Sequence, residues 1–385
     1  MPFYNDHFQS KLPKVDTSIF TVMSHLSAKY KAINLSQGFP DFDIDSELIT
    51  IVKEYFDKKV HQYAPMQGVM ELREAISDKI ATLYDQCYHP EEEITITAGA
   101  TQAIFTAISA FVREDDEVIL FTPAYDCYQP AVELNGGKPI FIQLQAPHFK
   151  INWEEVKKVM TQRTRMIIIN TPHNPTGTIL EEKDLLELQK ITSDTDILVL
   201  SDEVYEHLIF DGHNHQSICK YPKLADRSLA VFSFGKTFHV TGWKLGYIVA
   251  PKNLMKEFRK VHQFNVFSCN HPLQLAISNY IEDEENYLKL NDYYQSKRDL
   301  FLQIIKATRF KALTTKGTYF QLLDYSDISD MNDVDMAREM VKNKGIASIP
   351  ISVFYHAALD QKLLRFCFAK KSETLEKAGE KLIKI

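Results

Sequence analysis

Long hydrophobic runs are missing from this sequence of 385 residues. Its longest apolar stretches, such as Met166 to Ile169, are far too short to cross a bilayer. Between Met1 and Ser10 no basic patch is joined to an apolar stretch, so no leader is expected there. A cytoplasmic protein without a membrane partner is the expectation. Cysteine is scarce: Cys87, Cys127, Cys219, Cys269 and Cys367 are odd in number, widely spaced and without a CxxC pair. Neither a disulfide framework nor a zinc site follows, and small buried side chains are the simpler reading. His213 and His215 form an HxH, but within Asp211-Gly-His-Asn-His215 it reads as a polar turn and not as a metal site. Dense Lys/Arg runs with interleaved aromatics are also missing, and the net charge is −7, so no nucleic-acid partner is expected.

What is present is a chain that is 45% hydrophobic with both charge signs well represented. Its length suits two domains or one large domain with an appendage. The segment up to Ala32 shows no clear periodicity, and a short extended piece then meets the turn Gly38-Phe-Pro40. A helix is expected near residues 46–58, and Leu72, Ile76, Ile80 and Leu83 fall on one helical stripe. From Ile94 onward the pattern alternates. Strands are expected at 94–97, 117–121, 139–144, 165–170, 196–200 and 229–234, separated by helices such as 101–112, 153–160 and 181–191.

That rhythm predicts an α/β fold with a mainly parallel sheet and right-handed crossovers, whose ligands sit at the carboxyl ends of the strands. The run 245–250 follows too closely for a helical crossover, which predicts an antiparallel strand. Beyond it come long helical patterns, 285–307 the longest. Strands at 317–323, 346–349 and 363–368 then surround a helix at 334–344, and a last helix covers 373–385. The expected division is a large domain over 46–285, with 1–45 and 286–385 forming a smaller α+β domain.

Five segments carry candidate chemistry. Ser233-Phe-Gly-Lys236 through Gly242-Trp-Lys244-Leu-Gly246 puts a lysine just after a strand, beside a hydroxyl and a second cation. A lysine that forms a Schiff base with pyridoxal phosphate needs such surroundings, although solvated lysines after strands are common. Thr97-Ala-Gly99-Ala100-Thr101 is a small-residue turn opening a helix, which suits a phosphate or is a plain turn. Asn170-Thr-Pro-His-Asn174-Pro-Thr-Gly177 fixes an amide in a rigid turn. Ser201-Asp202-Glu-Val-Tyr205 ends an apolar strand with a carboxylate that needs a partner such as a pyridinium nitrogen, or else caps a helix or binds a metal. Arg365 lies inside the apolar run Leu363-Leu-Arg-Phe-Cys-Phe, where it pairs with a carboxylate ligand or with an internal acid.

The order of these motifs, with Gly38-Phe-Pro, Tyr63 and Tyr125 added, resembles the class I aminotransferases of pyridoxal phosphate fold type I over nearly the whole chain. Gln37 to Phe42, Asp126-Cys-Tyr128 and Arg365-Phe-Cys-Phe are similar to the branch that holds kynurenine, glutamine and methionine aminotransferases. Phe234-Gly-Lys-Thr, Val261-His-Gln and Gly317-Thr-Tyr-Phe lean toward the bacterial methionine enzymes.

The resemblance implies a seven-stranded sheet and roles for particular residues. Lys236 would hold the cofactor and shuttle the proton, with its pKa brought from about 10.4 toward neutrality. Asp202 would face the ring nitrogen, Tyr205 and Asn174 the phenolic oxygen, and Tyr125 the ring face. Ala100, Thr101, Ser233 and Lys244 would take the phosphate, helped by Tyr63 from the other subunit of a homodimer. Lys244 stands where many members carry arginine, and it gives a point charge in place of a fork. Arg365, Asn174 and Gly38 would hold the substrate carboxylate, while Phe20 and Phe267 would line the side-chain pocket.

Three functions follow as alternatives. The first is transamination of methionine or other neutral and aromatic amino acids to a 2-oxo acid by a ping-pong cycle. The second, on the same fold, is a carbon–sulfur β-lyase that would share every cofactor residue, a kynurenine/glutamine aminotransferase with cysteine-conjugate β-lyase side activity being the form in which the two combine. The third is a regulator's sensor domain, which the net charge and the lack of a recognisable DNA-binding segment disfavour.

Overall fold

Strict alternation along the central strands sends successive side chains to opposite faces and so builds two cores. Ile119, Ile167, Ile169, Val199 and Phe232 face one, while Val118, Leu120, Met166, Leu200 and Val231 face the other. The computed structural model describes residues 9–385. Residues 1–8, part of the stretch read for a leader, lie outside the described residues.

A short strand β1 (Ile33–Asn34) precedes the main sheet. The main sheet comprises β2 (Ile94–Thr97), β3 (Glu117–Thr122), β4 (Lys138–Gln143), β5 (Thr164–Asn170), β6 (Leu198–Asp202), β7 (Ser228–Ser233) and β8 (Gly246–Val249), in the order β2-β8-β7-β6-β5-β3-β4. All pairings are parallel except those of β8, which runs antiparallel to both neighbours as the sequence predicts. Because β8 is reversed, its amino end lies at the same edge as the carboxyl ends of β2 and β7: Gly246 pairs with both Thr97 and Ser233. Lys244 thereby joins the strand-end residues.

A second sheet has the order β12-β13-β10-β9 from β9 (Lys311–Ala312), β10 (Phe320–Asp324), β12 (Ile349–Pro350) and β13 (Leu363–Cys367). The strand β11 (Ile346–Ala347) pairs instead with β1, so the N-terminal segment returns to this part of the chain.

Several elements differ from expectation. Residues 19–30, read as aperiodic, form the helix Ile19–Tyr30, capped by Ser18. Its buried stripe is narrow, Met23 and Ser27, which leaves little periodic signal. The expected long helix 285–307 is interrupted at Lys289, giving Glu285–Leu288 and Leu290–Ile305. The expected strand 346–349 is two dyads that change sheet at Ser348. Extension near 317 is delayed to Phe320 because Thr318 takes φ 67°, in the left-handed region. The helix expected over 334–344 is α only from Asp333 to Glu339 and ends in a π turn, Met340–Lys344. Of the cysteines, Cys87 is exposed and Cys127 half-buried, and none is in a disulfide.

Candidate active site

The strand ends enclose a cavity of about 250 Å³. It is lined by residues of the β2, β5, β6 and β7 termini, by Lys244, by Arg365 of β13, and by Phe20, Gly38 and Phe39 of the N-terminal segment. Twelve of the fourteen residues singled out in the sequence meet here: Gly38, Phe20, Ala100, Thr101, Tyr125, Asn174, Asp202, Tyr205, Ser233, Lys236, Lys244 and Arg365. Tyr63 and Phe267 do not. They lie outside it, 79% and 49% exposed, with their rings edge to face at 5.0 Å.

Asp202 is the last residue of β6 and is buried. No helix follows, so the capping alternative falls. Its carboxylate accepts from Tyr128 Oη at 2.5 Å and from the Val204 N–H at 3.3 Å. Burial pushes its pKa up to about 6, against those two bonds, and no cation of the described residues lies within 4.0 Å. Lys236, in the short helix Phe234–Thr237, donates to Tyr319 Oη at 2.9 Å and to the Gly38 carbonyl at 3.2 Å. Burial lowers its pKa to about 8, with Arg365 and Lys244 adding to the effect. The shift toward neutrality is therefore partly built into the protein itself.

The phosphate-type cradle is formed at the helix Ala100–Phe111. Its N-cap, Gly99, has φ 78° and supplies no side-chain cap, so the first amides are free to bind an anion. A Cβ on Gly99 would come within 3.4 Å of Lys244 Nζ, which places the ammonium at the helix start. Lys244 is exposed and has no acidic partner among the described residues. The Ser233 hydroxyl faces the same cavity.

Arg365 is 1% exposed, and no carboxylate of the described residues pairs with it, so the internal-salt-bridge alternative falls. Its Nη1 donates to Asn174 Oδ1 at 2.6 Å and Nη2 to the Ser36 carbonyl at 3.4 Å, with the guanidinium 3.8 Å from the Phe320 ring centroid. Nε is buried without a partner. A buried donor left open beside a cavity fits an anionic ligand. Asn170 braces this corner: Oδ1 accepts from the Asn174 N–H at 2.8 Å and Nδ2 donates to the Asp202 carbonyl at 2.8 Å.

A model of the family "aminotransferase class I and II" matches residues 30–382. The chain belongs to this family. Among the relatives of this aminotransferase, methionine aminotransferase of Escherichia coli (strain K12) is 47% identical over 375 residues, covering 97% of each chain. Kynurenine–oxoglutarate transaminase 1 of Mus musculus is 33% identical over 408 residues, covering 97% of this chain and 96% of the relative. A crystal structure of an Escherichia coli protein, described as identifying a methionine aminotransferase function, superposes with a TM-score of 0.96 at 46% identity, covering 98% of this chain and 100% of that one. The fold is thus that of the fold type I aminotransferases.

Sequence reasoning gave no role to Tyr128, Asn170 or Tyr319. Asn170 was within reach, since it closes β5 at the ligand edge. Tyr128 and Tyr319 act through contacts between distant segments, and no local pattern marks them. The turn at Asp211–His215 is polar as read, but His215 turns inward to Glu203, 2.7 Å away, while His213 stays exposed.

Proposed function

We propose that this aminotransferase uses pyridoxal phosphate to move the amino group of methionine, and of other neutral or aromatic L-amino acids, to a 2-oxo acid in a ping-pong cycle. The observation that carries the reading is one cavity with an amine of lowered pKa, a buried carboxylate lacking a cation, and a buried arginine with an open donor. The likeness to methionine aminotransferase supports the donor. The kynurenine transaminases support the alternative less strongly, at lower identity.

When bound, pyridoxal phosphate supplies an electron sink for charge that develops at the substrate Cα. Everything else falls to the chain. Lys236 would anchor the cofactor and, once displaced by the substrate amine, would take the Cα proton and pass it on to the cofactor's C4′ carbon. Asp202, ionised above about pH 6, accepts a hydrogen bond from a protonated ring nitrogen. Asn174 spends its oxygen on Arg365 and so has its NH2 free for the phenolic oxygen, together with Tyr205. Tyr125 packs on the ring. Amides of Ala100 and Thr101, Ser233 and Lys244 bind the phosphate, and Arg365, Asn174 and the Gly38 backbone take the substrate carboxylate.

The aromatic residues left bare support a homodimer. Tyr63, Phe264 and Phe267 are 79%, 90% and 49% exposed, and in the proposed dimer they face the partner, where Tyr63 and Phe267 complete its site. We assign residues 46–285 to a large domain and 1–45 with 286–385 to a small one, a division supported by the separate sheets and the β1–β11 pairing. A cytoplasmic location is supported by five free cysteines; no helix of the described residues is long and apolar enough to cross a membrane. The test is to add methionine to the yellow protein. Conversion to the pyridoxamine phosphate form supports transamination, whereas ammonia release or no conversion overturns it.

A further inference from the structure

Tyr319 is fully buried, yet its phenol reaches the one amine in the cavity proposed to carry the chemistry. The ring is held edge to face by Tyr205 at 5.1 Å and by Phe320 at 4.8 Å, and packs against Tyr294 at 5.9 Å. Its backbone is fixed as well. Thr318 N–H donates to the Leu208 carbonyl at 2.9 Å, the Phe368 N–H donates to the Tyr319 carbonyl at 3.0 Å, and a Cβ on Gly317 would strike Pro172 and Leu208.

Hydrogen-bond direction is the informative part. Lys236 donates in its 2.9 Å bond to the Tyr319 oxygen, which accepts because the phenol hydrogen is engaged elsewhere. The phenol's own hydrogen goes to the Gly38 carbonyl, which also accepts from Lys236 at 3.2 Å. A neutral amine has two hydrogens and one lone pair. With two fixed acceptors on the protein side, both hydrogens are taken, and the lone pair is turned to the remaining tetrahedral position, toward the cavity that Lys236 lines.

We propose that Tyr319 is a positioning residue that, with the Gly38 carbonyl, aims the lone pair of neutral Lys236 at the reacting carbon. The proposal rests on the reading of Lys236 given above. In the proton transfer the lone pair forms an N–H bond as the substrate C–H bond breaks, its electrons staying with substrate and cofactor. The resulting ammonium places its third hydrogen where the lone pair was, from where it would be handed on to the cofactor's C4′ carbon. Gly38 cannot do this alone, since one acceptor leaves the amine free to rotate about that bond.

The test is Tyr319→Phe, which keeps the ring and removes the phenol. In the apoprotein, the rate at which added pyridoxal phosphate becomes borohydride-trappable on Lys236, located by peptide mass, should fall about tenfold, the loss expected for one such hydrogen bond. In the loaded enzyme kcat should fall by a similar factor with KM for methionine within about twofold. Affinity for pyridoxamine phosphate, which makes no covalent link, should not change. Wild-type trapping and turnover in the variant would overturn the proposal. Parallel losses in pyridoxamine phosphate affinity would also overturn it, by showing a structural role. If the wild-type protein itself gives no adduct that Lys236→Ala abolishes, the underlying reading of Lys236 has failed, and the proposal with it.

Discussion

Tyr128 donates its phenolic hydrogen to Oδ2 of Asp202 across 2.5 Å, from the start of the helix Tyr128–Leu134 to the end of β6. This bond and the Val204 N–H oppose the burial that raises the carboxyl from 3.8 to about 6. An acid with a raised folded pKa binds more protons folded than unfolded between those two values. Stability of the apoprotein therefore falls as pH rises through that window, and the loss is complete above about 6.

Asp202→Asn removes the buried charge while keeping the shape. At pH 7 the apoprotein should gain up to about 2 kcal/mol in urea unfolding, a gain that shrinks toward pH 4. Turnover should fall by at least about a hundredfold, because the ring nitrogen loses its anionic partner. Equal stability of the two apoproteins at pH 7, or full activity of the variant, contradicts this account of the site.

Lys244 is read as a charge for the phosphate, and it is exposed with no acidic partner among the described residues. Lys244→Ala should weaken apoprotein affinity for pyridoxal phosphate by about 1.5 kcal/mol or more, roughly tenfold, as expected for a charge-assisted contact. Binding of pyridoxal, which lacks the phosphate, should be unaffected, and Lys244→Arg should restore the loss. A similar loss for pyridoxal and pyridoxal phosphate would place the lysine elsewhere in the mechanism.

How much of this was readable depends on the range of the interaction. Gly99, Asn174, Asp202 and Lys236 are legible because each ends or follows a strand whose own pattern is strong, and a mainly parallel sheet brings such ends together. The reversed strand β8 is legible for the same reason: the connection after Lys236 leaves no room for a crossover. Tyr319 and Tyr128 are not, since their meaning lies in phenols that meet Lys236 and Asp202 from 83 and 74 residues away. The helix Ile19–Tyr30 escaped because only a thin stripe of it is buried. Burial also explains why Arg365 left two alternatives open in the sequence. Only the absence of an acid within reach among the described residues removes the internal ion pair, and the unpartnered Nε supports the proposed ligand role.

Tyr63 and Phe267 pack edge to face at 5.0 Å on an open surface, outside the cavity of their own chain. On the dimer reading that surface is buried against a second copy, and the Tyr63 hydroxyl reaches the partner's phosphate. Sedimentation should give a dimer at micromolar concentration. Tyr63→Phe should lower cofactor affinity by a few-fold without dissociating it, since the ring is retained. A fully active monomer would falsify the shared site.

The substrate side chain is decided by what charges the cavity offers. An aspartate or glutamate donor brings a second carboxylate, and burying it unpaired costs on the order of 3 to 5 kcal/mol. The cations lining the cavity are Lys236, Lys244 and Arg365. Each already has a proposed task at the cofactor or at the α-carboxylate, which leaves none for a distal acid. The walls near Arg365 are apolar instead: Phe20 lies 5.3 Å and Phe320 3.8 Å from its guanidinium, and Phe39 stands at the rim, half exposed. A flexible thioether packs well against such rings, where sulfur–aromatic contacts add about 0.3 to 1.5 kcal/mol each. With one fixed 2-oxo acid as acceptor, methionine should therefore lead in kcat/KM, followed by phenylalanine, tyrosine and histidine, with aspartate at least about a hundredfold behind. Phe20→Ala should raise KM for methionine several-fold and leave cofactor binding unchanged, because Phe20 meets the arginine and not the phosphate cradle. An aspartate value above those of methionine and phenylalanine would mean that a cation from the partner subunit enters the pocket, and that the aromatic wall does not set the specificity.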